Sequence, residues 1–239
     1  MNLRPLPPTF PATREALHQI AFFALAPARY QAVGRMGLRA TPRGFGTPEY
    51  DGKVARVEGD LLVFENQDSI ATQTITTLRE AASFFGVEYQ TEWFADFHDP
   101  LTPVDPDRLL DVDAEASRVL GEWFAFGTEV LNALRAEGTE QDDISEVQLW
   151  PEHFDPATEL GDYEKGQRAS FGASPGDANH PSPYLYVAAW SEIDRANSYW
   201  NDHHFNGASL GYDELAEADD PAGRGLDFLL RGYRSLHRR

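Results

Sequence analysis

KVARVEGDLLVFEN, residues 53–66, is the stretch on which the fold turns. Val54, Ala55 and Val57 lie before a Gly59-Asp60 pair, and Leu61, Leu62, Val63 and Phe64 lie after it. Apolar and β-branched residues on both sides of such a turn predict a hairpin. A hairpin pairs its strands antiparallel and needs no crossover helix. Three more strand-like runs follow: ISEVQLW (144–150), RASFGA (168–173) and YLYVAAW (184–190), each bounded by turn residues. In the last, Tyr184, Tyr186, Ala188 and Trp190 alternate with Leu185, Val187 and Ala189, so both faces are apolar. That pattern predicts a central strand covered on both sides.

Between these runs lie helical patterns. Thr13 is placed to cap a helix carrying Leu17, Ile20, Ala21, Ala24, Leu25 and Ala28, with Pro27 expected to bend or end it. Asp68 or Ser69 is expected to open a helix bearing Ala71, Ile75, Leu78, Ala82 and Phe85, with Gly86 closing it. The strongest pattern runs from Asp113 to Glu137, with Ala116, Val119, Leu120, Trp123, Val130, Leu131 and Leu134 as its stripe. A short final helix carries Leu226, Phe228, Leu229, Tyr233 and Leu236, with Arg231, Arg234, Arg238 and Arg239 around it. GRMGLRATPRGFGTPEYDG (34–52) reads as a loop with a short strand, and Trp93–Pro106 as an irregular crossing. Helices mixed with hairpin strands, without strict alternation, predict an α+β fold whose mainly antiparallel sheet packs with several helices. Residues 1–239 read as one domain, with a weak internal boundary near 100–113.

Composition narrows the function classes. The absence of cysteine excludes disulfides, thiolate metal sites and a cysteine nucleophile. A net charge of −19 disfavours nucleic acid and anionic membrane surfaces as partners. MNLRPLPPTFP is broken by prolines, and the longest apolar run, near Ile20–Pro27, falls well short of the roughly 20 residues of a membrane span. A soluble cytoplasmic protein is the expectation.

Candidate chemistry clusters in two places. The first is C-terminal: Glu152, His153 and Asp155, then Asp177 and His180, then Asp202, His203 and His204. Imidazole nitrogen and carboxylate oxygen are the donors of divalent-metal sites, so His153, Asp155, Asp177 and His180 form a candidate ligand set if their strands are neighbours. His153 with Asp155 as its orienting carboxylate is the simplest acid–base pair. The bland alternative is turn chemistry, since Asp155 precedes Pro156 and Asp177 sits in SPGDAN. Trp150, Tyr184 and Tyr186 are candidate walls of the pocket, or plain core. The second place is an acid-free window, 16–48, where Arg35, Arg39 and Arg43 lie among glycines. Guanidinium groups there would bind a carboxylate or phosphate ligand, or pair with the protein's own surplus acids.

LWPEHFD, FGASPGDANHPSPYLYV and WNDHHFNG, spanning about Gln148 to Tyr212, resemble a group of bacterial proteins of unknown function sharing a WPxHFD, SPGD and PYLYV pattern. The resemblance implies that His153, Phe154, Asp155, Ser174, Pro175, Gly176, Asp177, Pro183 and Tyr184 belong to one structural unit, and it carries no activity. The leading expectation is a protein binding a small molecule, with metal assistance, in a pocket at the strand ends of the C-terminal half. A non-catalytic interaction or structural domain and an anion binder centred on the arginine window are its rivals.

Overall fold

The computed structural model describes residues 3–91 and 101–237. Two five-stranded antiparallel sheets with helices make the fold α+β, as expected. Contacts divide the chain into two units, one comprising Pro5–Glu122 and Leu149–Phe154, the other Met1–Arg4, Trp123–Gln148 and Asp155–Arg239.

The first unit begins with α1 (Phe10–Ile20), a π-helical turn (Ala21–Leu25) and α2 (Ala26–Val33). Thr9 occupies the N-cap position and Thr13 lies inside α1, where its hydroxyl accepts from the Asp113 N–H at 3.0 Å. Pro27 does not end the helix. It has no N–H to satisfy, and the widened turn before it moves the preceding carbonyls away from its ring. Gly34, at φ +68, closes α2.

The first sheet is a meander of β1 (Arg39–Thr41), β2 (Gly44–Gly46), β3 (Val54–Glu58), β4 (Leu61–Glu65) and β5 (Ile70–Thr74). Glu58 faces Leu61 across a two-residue Gly59-Asp60 turn, and Gly59 takes φ +60, so the hairpin forms as read. The glycine-rich window contributes β1 and β2 where one short strand was expected.

The helix expected from Asp68 is instead β5 followed by α3 (Leu78–Phe84). Ile70, Thr72 and Thr74 are β-branched and pair along β4, and this outweighs the helical spacing of Ala71 and Ile75. Thr77 is the true cap, accepting from the Glu80 N–H at 3.2 Å. The crossing expected over Trp93–Pro106 lies, as far as Pro100, outside the described residues.

The long helix α4 (Ala114–Ala136) is capped by Asp113, whose Oδ1 accepts from the Ala116 N–H at 2.8 Å. Gly121 explains an interior glycine that costs about 1 kcal/mol in helix propensity. A Cβ there would stand 2.7 Å from Gly44 Cα and 2.8 Å from Gly44 N, so only hydrogen lets α4 meet β2. Gly121→Ala is expected to destabilise by about 1–3 kcal/mol, because rigid backbone lies opposite. A denaturation midpoint equal to the wild type's would contradict this close approach.

The second unit holds β7 (Asp155–Leu160), β8 (Ala169–Ser174), β9 (Tyr184–Ala189) and β10 (Gly207–Gly211); β6 (Gln148–Trp150), whose Leu149 and Trp150 belong to the first unit, ends the sheet order β10-β9-β8-β7-β6. β7 and β10 were not expected, because DPATEL and GASLG carry little apolar alternation. Two helices follow, α5 (Tyr212–Ala216) and α6 (Pro221–His237), the latter longer than its sequence pattern suggested.

Register defines two unlike faces. Phe171 opposes Val187 and Ala173 opposes Leu185, all fully buried. α6 lies against this face at Gly225 and Gly232, where a Cβ would come within 2.9 Å of Leu185 and 3.0 Å of Val187. α4 meets it at Gly127, whose Cβ position is filled by Ala173.

The other face carries Asp155, Ala157, Ser170, Gly172, Ser174, Tyr184, Tyr186 and Ala188. β9 is an interior strand between β10 and β8, with β8 in the middle of the sheet order, and its faces are not covered equally: Tyr186 and Ala188 are half-buried, and Trp190 is 49% exposed. Its tyrosines mimic a core pattern while their hydroxyls donate to Asp177 and Asp155. Among the described residues, no helix is long and apolar enough to cross a membrane.

Candidate functional site

The face of the second sheet away from α6 gathers the polar groups. Small residues make room for them: Gly172 lies opposite Tyr186 in register, and the Tyr186 ring occupies the place of its absent Cβ. Tyr186 Oη donates to Asp155 Oδ2 at 2.6 Å, and Asp155, at the start of β7, is 2% exposed. Burial, then the adjacent Asp155 carboxylate, pushes the Tyr186 hydroxyl well above its ordinary pKa, so it stays a donor.

The loop between β8 and β9 supplies the next pair. Ser174 ends β8, Gly176 takes φ +98, and Asp177 Oδ1 accepts from the N–H groups of Asn179 (2.6 Å) and His180 (2.9 Å). This is the turn chemistry anticipated for SPGDAN. The other oxygen, Oδ2, accepts from Tyr184 Oη at 2.7 Å. Burial alone would raise the Asp177 pKa, but the Tyr184 hydroxyl and the two backbone N–H groups outweigh it and hold it below the carboxylate range. Burial and Asp177 raise that of Tyr184.

The loop between β9 and β10 brings Asp202, whose side chain is 1% exposed, with Oδ2 at 2.9 Å from His180 Nε2. Burial raises the Asp202 pKa, while the His204 N–H, Ser209 and the His180 ring lower it further, leaving it ionised. The His180 ring packs on Tyr184 with centroids 4.4 Å apart, and edge-on to His204 at 5.2 Å. Its Nδ1 is buried without a hydrogen bond, with Asp177 Oδ1 3.8 Å away. Phe205 closes the group against Tyr186 at 6.1 Å. Asp155, Asp177, Asp202, His180, Tyr184 and Tyr186 thus form one connected cluster.

Compared with family models, with curated proteins and with solved structures, the chain matches none. The reading of the site rests on this geometry.

Of the residues singled out in sequence, Asp155, Asp177, His180, Tyr184 and Tyr186 come together. His153 does not join them. It lies exposed in the first unit, in the 149–154 segment whose Leu149 pairs with Leu38 through hydrogen bonds of 2.8 and 2.9 Å. The LWPEHF stretch is an anchor: the Pro151 carbonyl accepts from His18 Nε2 at 2.9 Å, and Phe154, at φ +55, stacks on the His18 ring with centroids 5.0 Å apart. Trp150 is half-buried in that segment, its carbonyl accepting from the Phe154 N–H.

His180, rather than His153, stands beside a buried carboxylate of this face, that of Asp202. Asp202 lies 22 residues beyond His180, and no spacing rule joins them. Among the described residues, no three His, Asp or Glu side chains gather to hold a metal. Of the candidate metal set His153, Asp155, Asp177 and His180, Asp177 and Asp155 accept from tyrosine hydroxyls and His180 has Asp202 beside it.

In the arginine window, Arg35, Arg39 and Arg43 are exposed. Arg43 lies 3.8 Å from Glu58, one of the protein's own acids, and Arg35 is near enough to buried Arg29 to lower its pKa, after burial itself.

Proposed function

We propose that the polar cluster on this face of the second sheet binds a small polar ligand rich in hydroxyl or amine donors, with the His180–Asp202 pair as its proton-transfer element. The observation that carries this reading is the His180 imidazole between Asp177 and Asp202, linked through Tyr184 and Tyr186 to Asp155. The carboxylate oxygens and His180 Nδ1, which makes no hydrogen bond, are what the cluster offers a ligand. Asp202 Oδ2, 2.9 Å from His180 Nε2, is the carboxylate partner such a base would use. The reading keeps the expected small-ligand function at the strand ends and dispenses with the metal. The rival of an interaction surface on the long helix has little support, since Val119, Leu120, Trp123, Val130, Leu131 and Leu134 on α4 are all buried.

The test is a thermal-shift titration with monosaccharides, amino alcohols and diamines, on wild type, Tyr186→Phe and His180→Gln. A saturable upward shift in wild type, weakened about tenfold or more in His180→Gln, is the expected result, since a lost hydrogen bond to a charged group is worth about 1.5–3 kcal/mol. No saturable response from any compound, or one untouched by either substitution, would sink the reading.

A further inference from the structure

A second feature of the same unit lies away from this cluster. On α6, Asp227, Arg231, Arg234 and Ser235 fall on one helix face and, with Asn197, line an open groove of about 470 Å³. The sequence marks these arginines as a basic end in a chain of net charge −19, and the proposed function does not use them. Several arginines of the chain pair with a carboxylate, as Arg56, Arg79 and Arg168 do. Among the described residues, no acid lies within ion-pair distance of Arg231 or Arg234, although Asp227 is only one turn from Arg231.

Arg231 is also positioned. Its guanidinium sits 5.3 Å above the Tyr199 ring, and Tyr199 is buried and donates to the Phe228 carbonyl at 3.0 Å. Gly232 permits this, because a side chain there would meet the Tyr199 hydroxyl. A guanidinium held over a fixed ring loses less entropy on binding than a mobile one. Asn197 spends its carbonyl oxygen on the Tyr199 N–H, leaving its amide hydrogens as donors.

We propose that this groove binds a small polyanion that also carries a hydroxyl, such as a hydroxy-polycarboxylate or a phosphate ester. Arg231 and Arg234 take the anionic groups, Asn197 donates to the same oxygens, and Asp227 accepts from the ligand hydroxyl. The overall negative charge does not prevent this: at physiological salt its field is screened within about 8 Å, so the two nearby guanidinium groups dominate inside the groove.

The experiment is isothermal titration of the full chain with citrate, with tricarballylate (citrate without its hydroxyl) and with inorganic phosphate, at ionic strength held constant with sodium chloride. Saturable citrate binding is expected, weakened about tenfold in Arg231→Gln and further in Arg231→Gln/Arg234→Gln, with tricarballylate weaker than citrate on the wild type. Arg39→Ala is expected to bind as the wild type does. Citrate heats that never saturate, or an unchanged affinity in the double variant, would overturn the site. Loss of binding in Arg39→Ala would move it to the arginine window. Equal affinity for citrate and tricarballylate would remove Asp227 from it. All three variants alter exposed side chains, and a circular-dichroism melt checks that each remains folded.

Discussion

Trp123→Ala is expected to lower stability by about 3–5 kcal/mol and the melting temperature on the order of 10 °C. Trp123 is fully buried in the second unit, stacked on Phe126 with centroids 5.5 Å apart and tilted against Tyr212 at 5.6 Å. Its indole N–H donates to the carbonyls of Ala173 and Ser174 at 3.2 and 2.9 Å, where β8 turns into the loop of Asp177 and His180. Truncation removes the largest side chain of that core and leaves two backbone acceptors without their donor. Trp123→Phe separates the two contributions, keeping most of the volume and losing only the N–H, for about 1–2 kcal/mol. Chemical denaturation of both variants measures the difference. A Trp123→Ala loss below 1 kcal/mol would show that the ring does not fill the core as described.

The second large effect is a pH dependence from His18. Burial lowers its pKa from 6.5 to about 4, and the neighbouring Glu15 carboxylate and the Pro151 carbonyl only partly offset this. The ring retains a little surface exposure, yet its faces are enclosed by Phe154 and the anchor segment. A base with a lower pKa in the folded than in the unfolded chain is protonated first on unfolding. Its contribution to stability is therefore complete above about pH 6.5 and falls as the pH drops towards 4, where the loss levels off. At about 1.4 kcal/mol per pH unit, that loss reaches about 3 kcal/mol. Carboxylates titrate at the lower end of this range, so the measurement is the difference between wild type and His18→Gln in denaturant midpoints from pH 7.5 to 4.5. The two curves are expected to converge as the pH falls, and parallel curves would refute the enclosed neutral imidazole.

The sequence was most legible where local rules and tertiary packing agree. The Gly59-Asp60 turn, the Asp113-capped helix α4 and the interior position of β9 all follow from residues close together in the chain. It misled at Ile70–Thr74, where a weak helical spacing competed with a partner strand that only the fold supplies. At Pro27 a π-helical turn absorbed the expected break. The candidate site was half legible. Asp177 and His180 were marked by their turn, and Tyr184 and Tyr186 by strand alternation, yet what the imidazole faces was not.

The sequence by itself determined the α+β class, the hairpin, the exclusion of thiol chemistry and which turn residues carry acids and imidazoles. Those depend on composition, on periods of two and 3.6 residues, and on turn stereochemistry, which are properties of short stretches. Only the tertiary structure decided that His153 and Asp155, two residues apart, belong to different units, while His180 and Asp202 meet at 2.9 Å. It also decided that Tyr186 lies over Gly172 and that Arg231 stands above Tyr199. The physical reason is the same in each case: strand register and loop return bring distant residues to one face, and no local pattern encodes which loops will meet.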